Sequence, residues 1–188
     1  IGGNLVIAEA ATPTLSTGAG TAGNVTVTGT TNGTTGGAAE SLTVQAGTGT
    51  VTFTGNVGNN TNSTELEALT ITNAAATTFS GTVDLANALT QTNAATGATT
   101  FTGAVSVGSA DLKGTSYAIN NSFASAGTTA FTNSGVITKS AGTHITSTGA
   151  FSTSGDVTLA ANITTTDTNL TIGGNLVIAE AATPTLST

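Results

Sequence analysis

The chain has 188 residues, and about a quarter of them are Thr, with Gly, Ala, Ser, Val and Asn making up most of the rest. Charged residues are only 6% and aromatic residues 4%, against about 25% charged in an ordinary globular domain. Two Lys and no Arg against nine carboxylates give a net charge of −7, so no basic surface exists to neutralise phosphates. Nucleic-acid binding is effectively excluded, and the same deficit argues against docking on an anionic membrane surface.

Cys, Met and Trp are absent, so no disulfide stabilises the chain and no side chain is easily oxidised. Mean hydropathy is +0.23, the opposite of the low-hydropathy, high-charge composition of disordered chains. Thr and Val are β-branched and suit a pleated surface. The expectation is an ordered, all-β protein. No window carries sustained apolar spacing at the helical period. The uncharged stretch from Leu85 to Ala110 is broken too often by Thr, Asn, Gln, Gly and Ser to cross a membrane.

In chain order, residues 1–17 read IGGNLVIAEAATPTLST, and residues 172–188 read the same. Seventeen matched positions make residues 1–171 one full tandem repeat and 172–188 the start of the next. The window is then predicted to be a slice of a longer periodic chain, with any secretion leader lying upstream of Ile1. Val25 and Val27 alternate with Asn24, Thr26 and Thr28, the first strand with one apolar and one wet face. Asn32-Gly33 and Gly36-Gly37 read as corners. Leu42 opens the first of the Leu-Thr segments, which return at Leu69, Leu89 and Leu170 and in a related form at Leu112.

A second marker, Phe-x-Gly-x-Val, occurs at Phe53 to Val57, Phe79 to Val83 and Phe101 to Val105, with looser versions at Phe131 to Val136 and Phe151 to Val157. By parity each is a strand with Phe, Gly and Val inward. The predicted core is therefore Phe53, Val57, Leu69, Ile71, Phe79, Val83, Leu89, Phe101, Val105, Phe131 and Phe151. Corners fall at Gly58-Asn59-Asn60 and Asn120-Asn121. Markers spaced roughly 20 to 30 residues apart are the rhythm of a solenoid. A single coil cannot bury its few apolar side chains alone, whereas stacked coils cover one another. The prediction is a parallel β-helix with about eight coils per 171 residues, advancing on the order of 38 Å. A string of β-sandwich beads, two per repeat, is the competing architecture.

The runs Ser41 to Gly58 and Thr99 to Val105 resemble the β-strand-repeat segments of giant bacterial surface proteins, including filamentous-haemagglutinin-like adhesins and autotransporter-type passengers. The resemblance covers most of residues 40 to 172 and rests on composition and rhythm. It implies secretion to the cell surface or beyond, a right-handed parallel β-helix, and a role as fibre, matrix or adhesin stalk.

Residues that could carry chemistry are few. His144 is the only histidine and stands beside inward Ile145, so it faces out and lacks the partners a metal site or a catalytic triad needs. Glu65 and Glu67 flank Leu66 and could act as a carboxylate pair or take Ca2+, but two solvated charges that keep a sticky strand soluble are the favoured reading. Asp84, Asp111, Asp156 and Asp167 are dispersed, and Lys113 and Lys139 are placed on the surface. The glycine pairs lack the Lys and the helix of a phosphate loop. No catalytic residue, cofactor or metal is predicted. Acceptor sequons for N-glycosylation stand at Asn24, Asn32, Asn59, Asn62, Asn120, Asn162 and Asn169. Thr-x-Thr triplets at Thr50, Thr70 and Thr90 would suit an ice-binding array if they lined up, which their membership of different strand types argues against. The predicted function is a non-catalytic extracellular filament whose partner is itself, through tandem repeats and end-to-end or lateral association. The alternatives are an adhesin stalk, with recognition lying elsewhere in the chain, and the ice-binding solenoid.

Overall fold

The structure is a computed structural model that describes residues 1–20, 22–34, 40–59, 66–93 and 96–188. Among these residues there is no helix, hence none able to cross a membrane. Every ladder between the named strands is parallel, and the chain visits three faces in constant order. The first face holds β1 (Leu5–Val6), β4 (Thr31–Asn32), β9 (Val83–Asp84), β12 (Val105–Val107), β15 (Phe123–Ser125), β18 (Ile145–Ser147), β21 (Ile163–Thr165) and β24 (Leu186–Ser187), with Val57 bridging β4 to β9. The second holds β2 (Thr14–Ser16), β5 (Ser41–Gln45), β7 (Ala68–Asn73), β10 (Ala88–Gln91), β13 (Ser109–Gly114), β16 (Thr129–Asn133), β19 (Phe151–Thr153) and β22 (Leu170–Ile172). The third holds β3 (Val25–Val27), β6 (Thr50–Phe53), β8 (Ala76–Phe79), β11 (Ala98–Phe101), β14 (Tyr117–Ile119), β17 (Ile137–Lys139), β20 (Val157–Leu159) and β23 (Leu176–Ile178). This is a three-sided β-solenoid, and the sandwich-bead architecture is set aside.

Stacked positions on the first face run Leu5, Thr31, Val57, Val83, Val105, Phe123, Ile145, Ile163 and Leu186. Their spacing shortens from 26 residues in the first coils to as few as 18 later on. Leu5 and its repeat equivalent Leu176 are separated by seven and two-thirds turns, a third of a turn short of the predicted eight: Leu176 lies on the third face over Val157.

Inward positions stack in columns. Leu42, Leu69 and Leu89 form one column, continued by Ala110, Thr129, Phe151 and Leu170. Leu112 occupies the neighbouring column over Gln91, so its Leu-Thr likeness shifts by two residues. Phe53, Phe79 and Phe101 stack ring over ring, with centroids 5.5 and 5.2 Å apart and planes within 3°. Phe101 then meets Phe123 edge-on at 5.7 Å, and Phe131 packs against Tyr117, Phe123 and Phe151. Aromatic packing thus runs from one wall to the next down the narrow core.

The Phe-x-Gly-x-Val marker is not one strand. Phe53, Phe79 and Phe101 each end a third-face strand, Gly55, Gly81 and Gly103 turn the corner, and Val57, Val83 and Val105 enter the first face. Gly29, Gly55, Gly81 and Gly103 form a corner column in which a Cβ on each would run into the backbone of the coil before it. The inward placement predicted for these glycines is therefore a corner placement. In the looser version at Phe131, the inward residue is Ile137, while Val136 is exposed.

Corner Asn and Asp side chains complete the backbone hydrogen bonding. The Oδ1 atoms of Asn4, Asn24, Asn56, Asp156 and Asn162 accept the N–H of Thr30, Thr50, Thr82, Asn175 and Thr185 in the following coil, at 2.7 to 3.1 Å. Short polar side chains suit this role because they reach a main-chain donor without filling the corner.

Candidate assembly surface

The structure buries all eleven predicted core residues to 2% exposure or less. Sequence reasoning missed the two other aromatic members of the core, Phe123 and Tyr117, because neither is followed by Gly-x-Val. Phe123 stacks on Val105 and Tyr117 on Thr99, so neither continues the column of Phe53, Phe79 and Phe101 that the marker traces.

Tyr117 is 2% exposed, and its hydroxyl has no hydrogen-bond partner among the described residues. Burial, with a smaller contribution from Asp111, pushes its ionisation far above the ordinary value of 10.0. Tyr117→Phe removes an unsatisfied buried hydroxyl and keeps the ring, so it should leave stability unchanged or raise it by about 1 kcal/mol. Urea denaturation of the two proteins measures this, and a clear loss would reveal a partner for the hydroxyl.

Lys139 corrects the sequence reading, since it lies inward at 1% exposure rather than on the surface. Its stem fills the column between Ile119 and Leu159. Its Nζ reaches the corner and donates to the Ile119 and Ser140 carbonyls and the Thr143 hydroxyl, at 3.4, 2.9 and 3.2 Å. Burial lowers its pKa from the ordinary 10.5. Between the lowered value and 10.5 the unfolded chain binds the proton that the folded chain has lost, so stability rises with pH there. Tyr117 acts in the opposite sense, because above pH 10 the unfolded tyrosine ionises while the folded one does not. Thermal stability should therefore climb towards about pH 10 and fall beyond it. Lys139→Met should abolish the climb and Tyr117→Phe the fall, both measured by melting temperature against pH. Lys113, by contrast, is half-buried at the surface and pairs with Asp111 at 3.5 Å, a contact of little energetic weight.

The remaining polar candidates do not converge. His144 is exposed, and its Nδ1 accepts the Asn162 N–H at 3.3 Å. Glu65 lies outside the described residues, and Glu67 accepts a hydrogen bond from the Asn87 amide. Glu40, not singled out in the sequence, is buried at 2% and accepts both the N–H and the hydroxyl of Thr34. A polar notch of about 140 Å3 is lined by Thr30, Asn32, Asn56, Gly58, Thr82 and Asp84 among others, with one carboxylate. No group of three metal-ligating His, Asp or Glu residues occurs among the described residues. Of the sequon residues, Asn24 and Asn162 are corner acceptors, Asn32 is half-buried in β4, and Asn59, Asn120 and Asn169 are exposed. Asn62 lies outside the described residues.

The Thr-x-Thr triplets do not form the single array considered from sequence. Thr70 and Thr90 stack on the second face with Thr14 and Thr43, whereas Thr50 stacks with Ala76 and Ala98 on the third. A different ladder exists instead. Thr26, Thr52, Thr78 and Thr100 stack on the outer third face. Beside them Thr54, Ser80 and Thr102 succeed one another, each donating its N–H to the stacked Val27, Phe53 or Phe79 carbonyl.

The most informative surface is the edge of the coil formed by residues 172–188. The same seventeen residues occur twice in the structure, once beneath another coil and once at the end of the stack. In residues 1–17 the N–H groups of Leu5, Ile7 and Thr17 donate to Thr30, Asn32 and Gln45 of the second coil, while the carbonyls of Ile1, Ala11 and Pro13 accept from Thr28, Ser41 and Thr43. The counterparts of these six residues are Leu176, Ile178, Thr188, Ile172, Ala182 and Pro184. They line the outer edge of the last coil. Ile7 is 3% exposed whereas Ile178 is 46% exposed, and Leu176 and Leu186 are likewise open. Both copies fold the same local turn: Ala11 donates to the Ala8 carbonyl and Ala182 to that of Ala179, around left-handed Ala10 and Ala181. The same groups that pair with the second coil in residues 1–17 thus recur in the last coil, facing along the stack axis.

No family model, curated protein or solved structure matches this chain.

Proposed function

We propose that the chain is a non-catalytic structural segment of a long extracellular fibre or cell-surface filament, in which 171-residue repeats continue one another as a single stack. The observation that carries this reading is the reuse of residues 1–17 at 172–188, where the groups that bind the next coil in the first copy are presented again. Its working principle is stiffness. Each coil is tied to the next by three parallel ladders, and a narrow apolar core excludes water along the axis. The composition supports secretion, since nothing on the chain is readily oxidised. The same features suit a stalk that carries a recognition domain elsewhere in a giant adhesin, and the two readings part on whether filament tips bear extra density.

Electron microscopy of the native material tests this. Straight filaments with a meridional reflection near ~4.8 Å are expected, since strands crossing the axis stack at that spacing. Dispersed short particles, or beaded filaments without that reflection, would overturn the fibre. A second reading, an ice-binding face, is favoured by the ladder of Thr26, Thr52, Thr78 and Thr100. Ice-growth inhibition by the purified chain would establish it.

A further inference from the structure

We infer that successive repeats are joined with a rotation of one third of a turn, so that each repeat presents its features one face away from its predecessor. The inference rests on the fibre reading and specifies its geometry. Three separate stretches of the duplicated segment show the shift. Ile1 lies at the edge of the third face, bonded to Thr26 and Thr28, whereas Ile172 lies in β22 on the second. Leu5–Val6 is on the first face, paired with β4, whereas Leu176–Ile178 is on the third, paired with β20. Thr14–Ser16 is on the second face, paired with β5, whereas Leu186–Ser187 is on the first, paired with β21. Every stretch moves back by one face in the order in which the chain visits them.

The shift leaves side-chain direction intact. Val6 and Val177 point outward in both settings, while Leu5, Ile7, Leu176 and Ile178 occupy inward positions. The turn at Ala10 recurs at Ala181. The segment is therefore neutral towards which wall it forms, because each wall offers it the same parallel edge. Beyond Thr17 the chain enters the third face at β3, and its continuation beyond Thr188 would enter the second.

At seven and two-thirds turns per repeat, three repeats make 23 turns, and the pattern closes after about 110 Å at ~4.8 Å per coil. The consequence is mechanical. Any bend or one-sided stickiness that a repeat's sequence builds in is turned by a third of a revolution in the next, so bends cancel over three repeats. In the fibre, the coil that stacks on residues 172–188 belongs to the following repeat, held at that angle.

The chain itself provides the first test, because it has no cysteine of its own. Val177 lies in register with Thr158 on the third face. Had the repeat held eight whole turns, Val177 would instead stack on Thr164 of the first face. The double variant Thr158→Cys with Val177→Cys should cross-link under mild oxidation, and Thr164→Cys with Val177→Cys should not. The reverse pattern, or cross-linking of neither pair, would overturn the rotation. In reconstructions of native filaments, the Phe53, Phe79 and Phe101 stack should recur on any one face every ~110 Å. Recurrence on the same face every ~38 Å, eight whole turns, would refute the rotation while leaving the fibre intact, whereas beaded filaments would remove the fibre reading itself.

Discussion

Phe79→Ala should lower stability by about 3 to 5 kcal/mol, near the upper end of that range. The ring is 1% exposed and lies between two parallel neighbours, Phe53 at 5.5 Å and Phe101 at 5.2 Å. Truncation removes the transfer energy of the phenyl group and both ring contacts, each worth about 0.5 to 1.5 kcal/mol beyond area burial. The cavity cannot close by collapse. Coil spacing is held by the ladders from β6 to β8 and from β8 to β11, so Phe53 and Phe101 cannot approach each other without breaking them. Phe79→Leu should recover more than half of the loss by refilling the column. Urea denaturation of the three proteins checks this, and an alanine variant within about 1 kcal/mol of the parent would refute the packing described.

The same column shows what was legible in the sequence. The period-2 alternation of Phe and Val with Thr identified the inward residues, and the return of the Phe marker roughly every 20 to 30 residues identified the coil. Both signals are local, and a solenoid is made of local signals repeated. The corner was not legible, because Phe-x-Gly-x-Val keeps its alternation through the bend and so passes for a continuous strand. Lys139 was misplaced for a related reason. Its parity with Ile137 marks it as inward, but a lone charge in a sequence is read as solvated, and only the geometry shows three oxygens within reach of a snorkelling ammonium. Tyr117 and Phe123 stand where the coils shorten, and the marker pattern breaks at the same place. The fraction of a turn in the repeat was not legible either, because it depends on how many residues each corner takes up.

That fraction bears on the threonine ladder. A lattice-binding plane needs ranks of hydroxyls on one flat side over a long distance. Here the run of Thr26, Thr52, Thr78 and Thr100 is broken by Ala118 before Thr138 and Thr158 resume. With a third of a turn per repeat, the next run would fall on another side. Threonine in this chain serves chiefly as a β-branched residue for the outer positions of stacked strands. The extended structure then favours a rod with three similar sides over a plate with one active face.

Gly103→Val should be as damaging as loss of the phenyl ring, by the opposite route. A Cβ at residue 103 would overlap the Gly81 carbonyl group, with its carbon 2.5 Å away, and would lie 2.8 Å from the Thr82 nitrogen. These are backbone atoms of the preceding coil, fixed by the Thr102 N–H to the Phe79 carbonyl on one side of the corner and by the Val83 to Val105 ladder on the other. No side-chain rotation relieves the contact, so the corner must open. Overpacking costs about 1 to 3 kcal/mol where side chains can yield, and here the yielding element is main chain, so a loss of at least about 3 kcal/mol is expected. Gly142→Ala is the control: a Cβ there meets nothing within 4 Å, and its cost is confined to the left-handed backbone at φ 95°, about 1 kcal/mol. Denaturation midpoints should order the proteins as parent, Gly142→Ala and Gly103→Val. A Gly103→Val protein as stable as the Gly142→Ala protein would mean that the corner glycines do not stack coil on coil.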